Sequence, residues 1–72
     1  MEKHELTEKI GKRIIHLRTQ KGWSQSDLAR ACLKDRQAIE KLESGKVNPT
    51  IYSLFEVAKS LGVGLKELVD IN

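Results

Sequence analysis

A chain of 72 residues holds one small domain, because chains divide into two only at several times that length. Such a chain buries only about 60% of the surface its unfolded form exposes, which points to an economical, helical core with no room for an enclosed active-site cavity. With 39% hydrophobic and 32% charged residues, a net charge of +3 and a single cysteine, it is neither a disordered tail nor a disulfide scaffold. The whole of 1–72 is expected to form one domain, with its core between about 6 and 70. Lys3, Lys9, Lys12 and Arg13 interrupt the first turns, and no apolar run approaches about 18 residues, so neither a signal peptide nor a membrane span is expected. A cytoplasmic location is the expectation, which suits an unpaired Cys32.

The isoelectric point near 9.2 admits a nucleic-acid partner without requiring one. Residues 1–22 carry six basic and three acidic side chains, 23–50 carry five and four, and 51–72 carry two and three. The basic excess therefore lies in the first two thirds, and the last third suits packing or a protein partner better than a polyanion.

Ile10, Ile14 and Leu17 recur at helical spacing, which predicts a first helix from about Glu5 to Lys21, stopped by Gly22. Ser24 to Asp27 reads as a capping box opening a second helix with an apolar stripe of Leu28, Ala29 and Cys32. Asp35 is placed to cap a third helix over Arg36 to Ser44, whose inner face is Ile39, Leu42 and Glu43 and whose stop is Gly45. Lys46 to Pro49 form a loop. Thr50 caps a fourth helix with a buried stripe of Ile51, Leu54, Val57, Ala58 and Leu61, ended by Gly62. A fifth helix runs from Leu65 to about Asp70. No stretch alternates like a strand, so the expected fold is an all-α bundle of five helices.

Leu33 and Lys34 alone join the second and third helices, which forces a sharp turn between them. Gln25, Leu28-Ala29, Ile39, Leu42-Glu43, Gly45 and Pro49 resemble the bacteriophage repressor and Cro-type helix-turn-helix family of transcription regulators, and the run from Gln37 to Lys46 is similar to the recognition helix of lambdoid phage repressors. The resemblance covers about residues 10–69. It implies a compact lambda-repressor-like bundle with double-stranded DNA as partner. A homodimer is expected on energetic grounds, since a monomer of charge +3 with a few phosphate contacts binds weakly and two half-sites double the contacts; no visible motif implies a cofactor, and His4 and His16 have no partners at metal spacing.

With Ile39, Leu42 and Glu43 turned inward, 100° per residue sends Gln37, Lys41 and Ser44 outward, flanked by Ala38 and Glu40. Such a face fits a major groove, where Gln pairs with adenine and Arg or Lys with guanine. Arg36, Gln37 and Lys41 are the candidate base readers, positions to which the resemblance also points. Gln25, at the start of the second helix, is the candidate phosphate ligand, with Lys46 and Asn48 gripping the backbone from the other side. Ser24, Ala38, Glu40 and Ser44 are further DNA-facing candidates. The resemblance also pairs Arg18 with Glu43, tethering the first helix to the third.

Other residues have plainer readings. His4 and His16 are solvated, Cys32 is a small core residue, and Trp23 packs at the junction of the first two helices. Tyr52 and Phe55 point away from the buried face of the fourth helix and, with Leu65, Leu68, Val69 and Ile71, form a candidate dimer patch; the alternative is that the fifth helix simply folds over the core. Three departures from the family stand out. Leu33 and Lys34 stand where the family usually has Gly followed by an aliphatic residue, so either the turn is strained or it takes another shape, with the register shifted by one and Leu33 turned inward to make the next position's apolar contact. Gly64 stands where Ser or Thr usually caps the last helix, and Ile51 replaces a minor-groove Arg of some relatives.

The leading expectation is a sequence-specific DNA-binding regulator, a repressor acting as a dimer on a pseudo-palindromic operator. The competing one is an interaction module of the same fold, antitoxin-like or docking a toxin or co-regulator. No catalytic constellation is visible, so an enzyme is not expected.

Overall fold

Short polar side chains open three of the helices by satisfying amides that the first turn leaves free. Ser24 Oγ accepts from the Asp27 amide at 3.1 Å, and the Asp27 carboxylate accepts from the Ser24 amide at 2.8 Å. Asp35 accepts from the Ala38 amide at 2.7 Å and Thr50 from the Ser53 amide at 3.0 Å. The computed structural model describes residues 1–71, and within them the helices are α1 (Lys3–Gln20), α2 (Gln25–Cys32), α3 (Arg36–Glu43), α4 (Ile51–Leu61) and α5 (Leu65–Leu68), with no strand. Gly64 has no cap side chain, but the Glu67 carboxylate accepts from its amide at 3.3 Å, which supplies half of a capping box.

The bounds differ modestly from expectation. Helix α1 starts two residues earlier, at Lys3, Ser44 serves as the cap beyond α3, and α5 closes at Leu68 rather than near Asp70. Ile51 leaves the expected buried stripe altogether: it is 69% exposed. As the first residue of α4, it lies where the chain emerges from the Asn48-Pro49 loop and no neighbouring helix covers it.

One core joins all five elements, drawn from Ile10, Ile14 and Leu17 of α1, Leu28, Ala29 and Cys32 of α2, Ile39 and Leu42 of α3, Leu54, Val57, Ala58 and Leu61 of α4, and Leu68 of α5. Helix α1 packs on α3 and α5, while α2 packs on α3 and α4. Leu68 is fully buried, and it makes the four-residue α5 a lid on the core. That corrects its placement in a dimer patch; Leu65 is likewise half-buried against the core.

The crossing of α1 and α3 depends on Gly11, to which periodicity assigns no role. A Cβ there would stand 2.3 Å from the Glu43 carbonyl oxygen and 2.7 Å from that of Leu42. Both are backbone atoms, so relief requires moving one helix off the other. Gly11→Ala is therefore expected to cost at least about 1–3 kcal/mol, read as a lower midpoint in thermal or urea unfolding. Beside this crossing, the buried Thr7 hydroxyl donates to the Gly45 carbonyl at 3.1 Å, holding the start of α1 to the end of α3.

Leu33 resolves the alternatives for the turn. It sits in the left-handed region at φ 58° and ψ 40°, and the amides of Leu33 and Lys34 close the end of α2 onto the carbonyls of Arg30 and Ala29. The turn keeps the shape a Gly would give it, and Leu33 does not move inward: its side chain is 94% exposed. A left-handed Leu costs roughly 1–2 kcal/mol. Leu33→Gly is expected to return about 1 kcal/mol, less the greater entropy of an unfolded glycine, as a higher melting temperature in dilute protein.

Candidate nucleic-acid interface

Helix α3 turns Ile39, Leu42 and Glu43 inward and leaves Arg36, Gln37, Lys41 and Ser44 exposed, with Ala38 and Glu40 half-buried at the flanks. A helix advancing 100° per residue divides its faces in this way. Gln37, Ala38, Lys41 and Asn48 line one open depression of about 400 Å3 between α3 and the start of α4. Lys34, Thr50 and Ser53 line it too; none was a candidate, because only the packing of α4 beside α3 brings them there. Lys34 also reaches Glu56 of α4 at 3.1 Å.

Beneath the interface lies a buried ion pair. The Glu43 side chain is 2% exposed and accepts from Arg18 Nε at 2.6 Å and Nη2 at 3.0 Å. Arg18 spends its remaining reach on the Trp23 carbonyl at 2.8 Å, tying α1, α3 and the α1–α2 junction together. Among the described residues no buried side-chain nitrogen or oxygen lacks a partner, the condition under which such a pair is tolerated.

Gln25 connects this pair to the surface. Its Nε2 donates to Glu43 Oε1 at 2.9 Å, which turns its own oxygen outward, and that oxygen accepts from Arg36 Nη1 at 3.3 Å. The Glu43 oxygen can only accept, so the direction of the Gln25 amide follows from chemistry. Residues 18, 25, 36 and 43 thus form one hydrogen-bonded chain across three elements, and no spacing within the sequence announces the Gln25–Arg36 link.

The other candidates are more loosely held. Lys46 Nζ stands 3.5 Å from Glu40 Oε1 across exposed side chains, an attraction worth little in water. Ser44 Oγ donates to the Lys41 carbonyl, and Ser24 Oγ is committed to the Asp27 amide. Asp27 sits below the ordinary carboxylate range, chiefly because the Ser24 amide and then the Ser24 hydroxyl donate to it, with Arg30 adding attraction. A depressed folded pKa contributes stability above the unfolded pKa and loses it as pH falls through the folded value. The melting temperature should accordingly drop on acidification over that range, less steeply in Asp27→Asn.

His4 pairs with Glu8 at 3.0 Å on the surface, His16 is exposed and Cys32 is buried. Trp23 is half-buried under the Lys21 ammonium, 4.8 Å above its ring. Among the described residues no group of three His, Cys, Asp or Glu side chains could hold a metal, and no helix is long and apolar enough to cross a membrane. Tyr52 and Phe55 are exposed with ring centroids 6.3 Å apart, and Val69 is exposed at the end of α5.

Two eight-residue helices joined by a short turn, the second presenting an exposed polar face above a buried Arg–Glu tether, define a helix-turn-helix domain. Residues 14–68 match the helix-turn-helix family HTH_3, and the chain belongs to that family. A relative described as the uncharacterized HTH-type transcriptional regulator y4dJ of Sinorhizobium fredii is 37% identical over 60 residues, covering 83% of this chain and 78% of its own. Among solved structures, the restriction-modification controller protein C.AhdI from Aeromonas hydrophila superposes with a TM-score of 0.83 at 34% identity, over 89% of this chain and 96% of its own. The hypothetical transcription factor NHTF from Neisseria superposes with a TM-score of 0.87 at 29% identity, over 96% and 79%. The chain is thus a helix-turn-helix-type transcriptional regulator.

Proposed function

We propose that this regulator is a repressor that reads double-stranded DNA as a twofold dimer on a pseudo-palindromic operator, with α3 in the major groove. The observation that carries the reading is the outer face of α3, where Gln37 and Lys41 stand exposed over an open depression and Arg36 is held beside them. Arg36 and Lys41 would pair with guanine and Gln37 with adenine. Gln25 has two amide hydrogens; one is bound to Glu43 and the second serves a phosphate at the amino end of α2, where the helix dipole favours an anion. Lys46 and Asn48 grip the backbone beyond α3, and Ser24, Ala38, Glu40 and Ser44 border the contact.

A dimer follows from energetics. One domain of charge +3 with a few phosphate contacts binds weakly, and two half-sites about 34 Å apart double the contacts. Selection of bound DNA from a random duplex pool tests the reading: the wild type should enrich an inverted repeat that the double variant Gln37→Ala, Lys41→Ala does not. Failure of the wild type to enrich any sequence at low salt would remove DNA reading.

A second reading, an interaction module that docks a partner protein through α4, is favoured by the exposed Tyr52 and Phe55 rings. Charge reversal of Arg36 and Lys41 separates the two, since a docking module would be indifferent to it.

A further inference from the structure

Of the large apolar side chains that packing leaves uncovered, Leu33, Tyr52 and Phe55 border one groove, while Met1, Leu6 and Val69 lie outside it. Leu33, at 94% exposure, stands at the rim of a groove of about 380 Å3 between the end of α2 and α4, lined by Ala31, Cys32, Tyr52, Phe55, Glu56 and Lys59 among others. Tyr52 is 69% and Phe55 47% exposed, and Ile51, four residues before Phe55, extends the same face. Together they form one apolar face; the largest such patch on a typical monomer spans roughly 300–600 Å2 and is often functional.

Two independent features meet there. Leu33 holds an unfavourable left-handed backbone while 94% of its surface stays exposed, so burial of its side chain does not repay the strain, and strain of that kind persists where a function uses it. The patch is also a knob beside a hole, both on one surface, which is the self-complementarity an isologous twofold contact requires. Its rim carries both signs of charge, Glu56 with Lys34 and Lys59. A second copy of the same rim offers Glu56 to Lys59 and Lys59 to Glu56, whereas a uniformly acidic or basic partner meets like charge at one edge.

We propose that this face is where a second copy of the chain docks, each Leu33 entering the groove between α2 and α4 of the other. The inference rests on the dimeric reading above and supplies its surface: Leu33 and Ile51 join Tyr52 and Phe55, and the buried Leu68 has no part. About 800 Å2 per partner makes a stable interface, so a patch of a few side chains with its polar rim gives a dimer that dissociates on dilution.

Sedimentation equilibrium of the purified chain without DNA tests it, on the wild type, Leu33→Gly and Phe55→Glu. The dissociation constant is expected to rise at least about tenfold in each variant, because a buried leucine or ring is lost from both copies. Leu33→Gly should at the same time melt higher than the wild type at concentrations where both are monomeric, so a folding defect cannot account for its weaker association. A wild type that stays monomeric up to about millimolar concentration, the range of the weakest specific affinities, overturns the proposal. So does an unchanged constant in Leu33→Gly, whatever Phe55→Glu does. A monomer that still enriches a single half-site would sink this inference while sparing DNA reading by α3, and a dimer that enriches nothing would do the reverse.

Discussion

Glu43→Ala is expected to be the most damaging single change to the fold, costing about 3–5 kcal/mol, the usual effect of removing one partner of a buried ion pair. Arg18, 13% exposed at its side chain, would keep its charge and lose the carboxylate that receives two of its donors. Gln25 would lose its inner acceptor as well. A domain of this length has roughly 4–11 kcal/mol of stability in total, so the variant sits near its folding threshold. A fall in melting temperature of at least about 12 °C follows from about 4–8 °C per kcal/mol at this size, measurable by circular dichroism. Arg18→Met with Glu43→Leu should be far milder than either half alone, because no charge is then left buried.

Arg36→Ala and Lys41→Ala are expected to have the largest effects on DNA reading. Each contact with a guanine edge carries about 1–3 kcal/mol of discrimination, and a twofold dimer loses it twice, so specific binding should fall by one to four orders of magnitude (about 2–6 kcal/mol at 1.4 kcal/mol per tenfold). The loss should be confined to the base pairs that each residue reads. Lys46→Ala should instead weaken every sequence alike and reduce the salt dependence by about one unit of slope per site. Fluorescence anisotropy titrations on the selected operator and on a scrambled duplex, at several salt concentrations, separate the two patterns. Equal losses on both duplexes from Arg36→Ala and Lys41→Ala would make those residues phosphate contacts and return base reading to Gln37.

Local rules reached far in this chain because its architecture is made of local elements. Apolar spacing located five helices, and Ser24, Asp35 and Thr50 marked starts that the hydrogen bonds repeat. The Arg18–Glu43 pair came from resemblance rather than from spacing, since residues 25 apart in sequence meet only in the folded bundle. The outward set on α3 was legible because a helix buried along one stripe has no choice about its other side.

What the residues determined by themselves was the helical periodicity, the caps and the polar face of α3, all settled within a few residues of chain. What only the tertiary structure decided was coverage and contact between distant positions. Ile51 obeys the apolar spacing of its helix yet lies open because no element packs over its end, whereas Leu68, whose spacing fits a dimer patch and a fold over the core equally, is sealed by the core that α5 closes. Gly11 is needed because α3 presses its backbone there, Gln25 points at Arg36 because Glu43 sits behind it, and Leu33 bears the left-handed turn exposed. Each of these depends on which surfaces meet, and a pattern along one helix carries no information about the neighbour that will cover it.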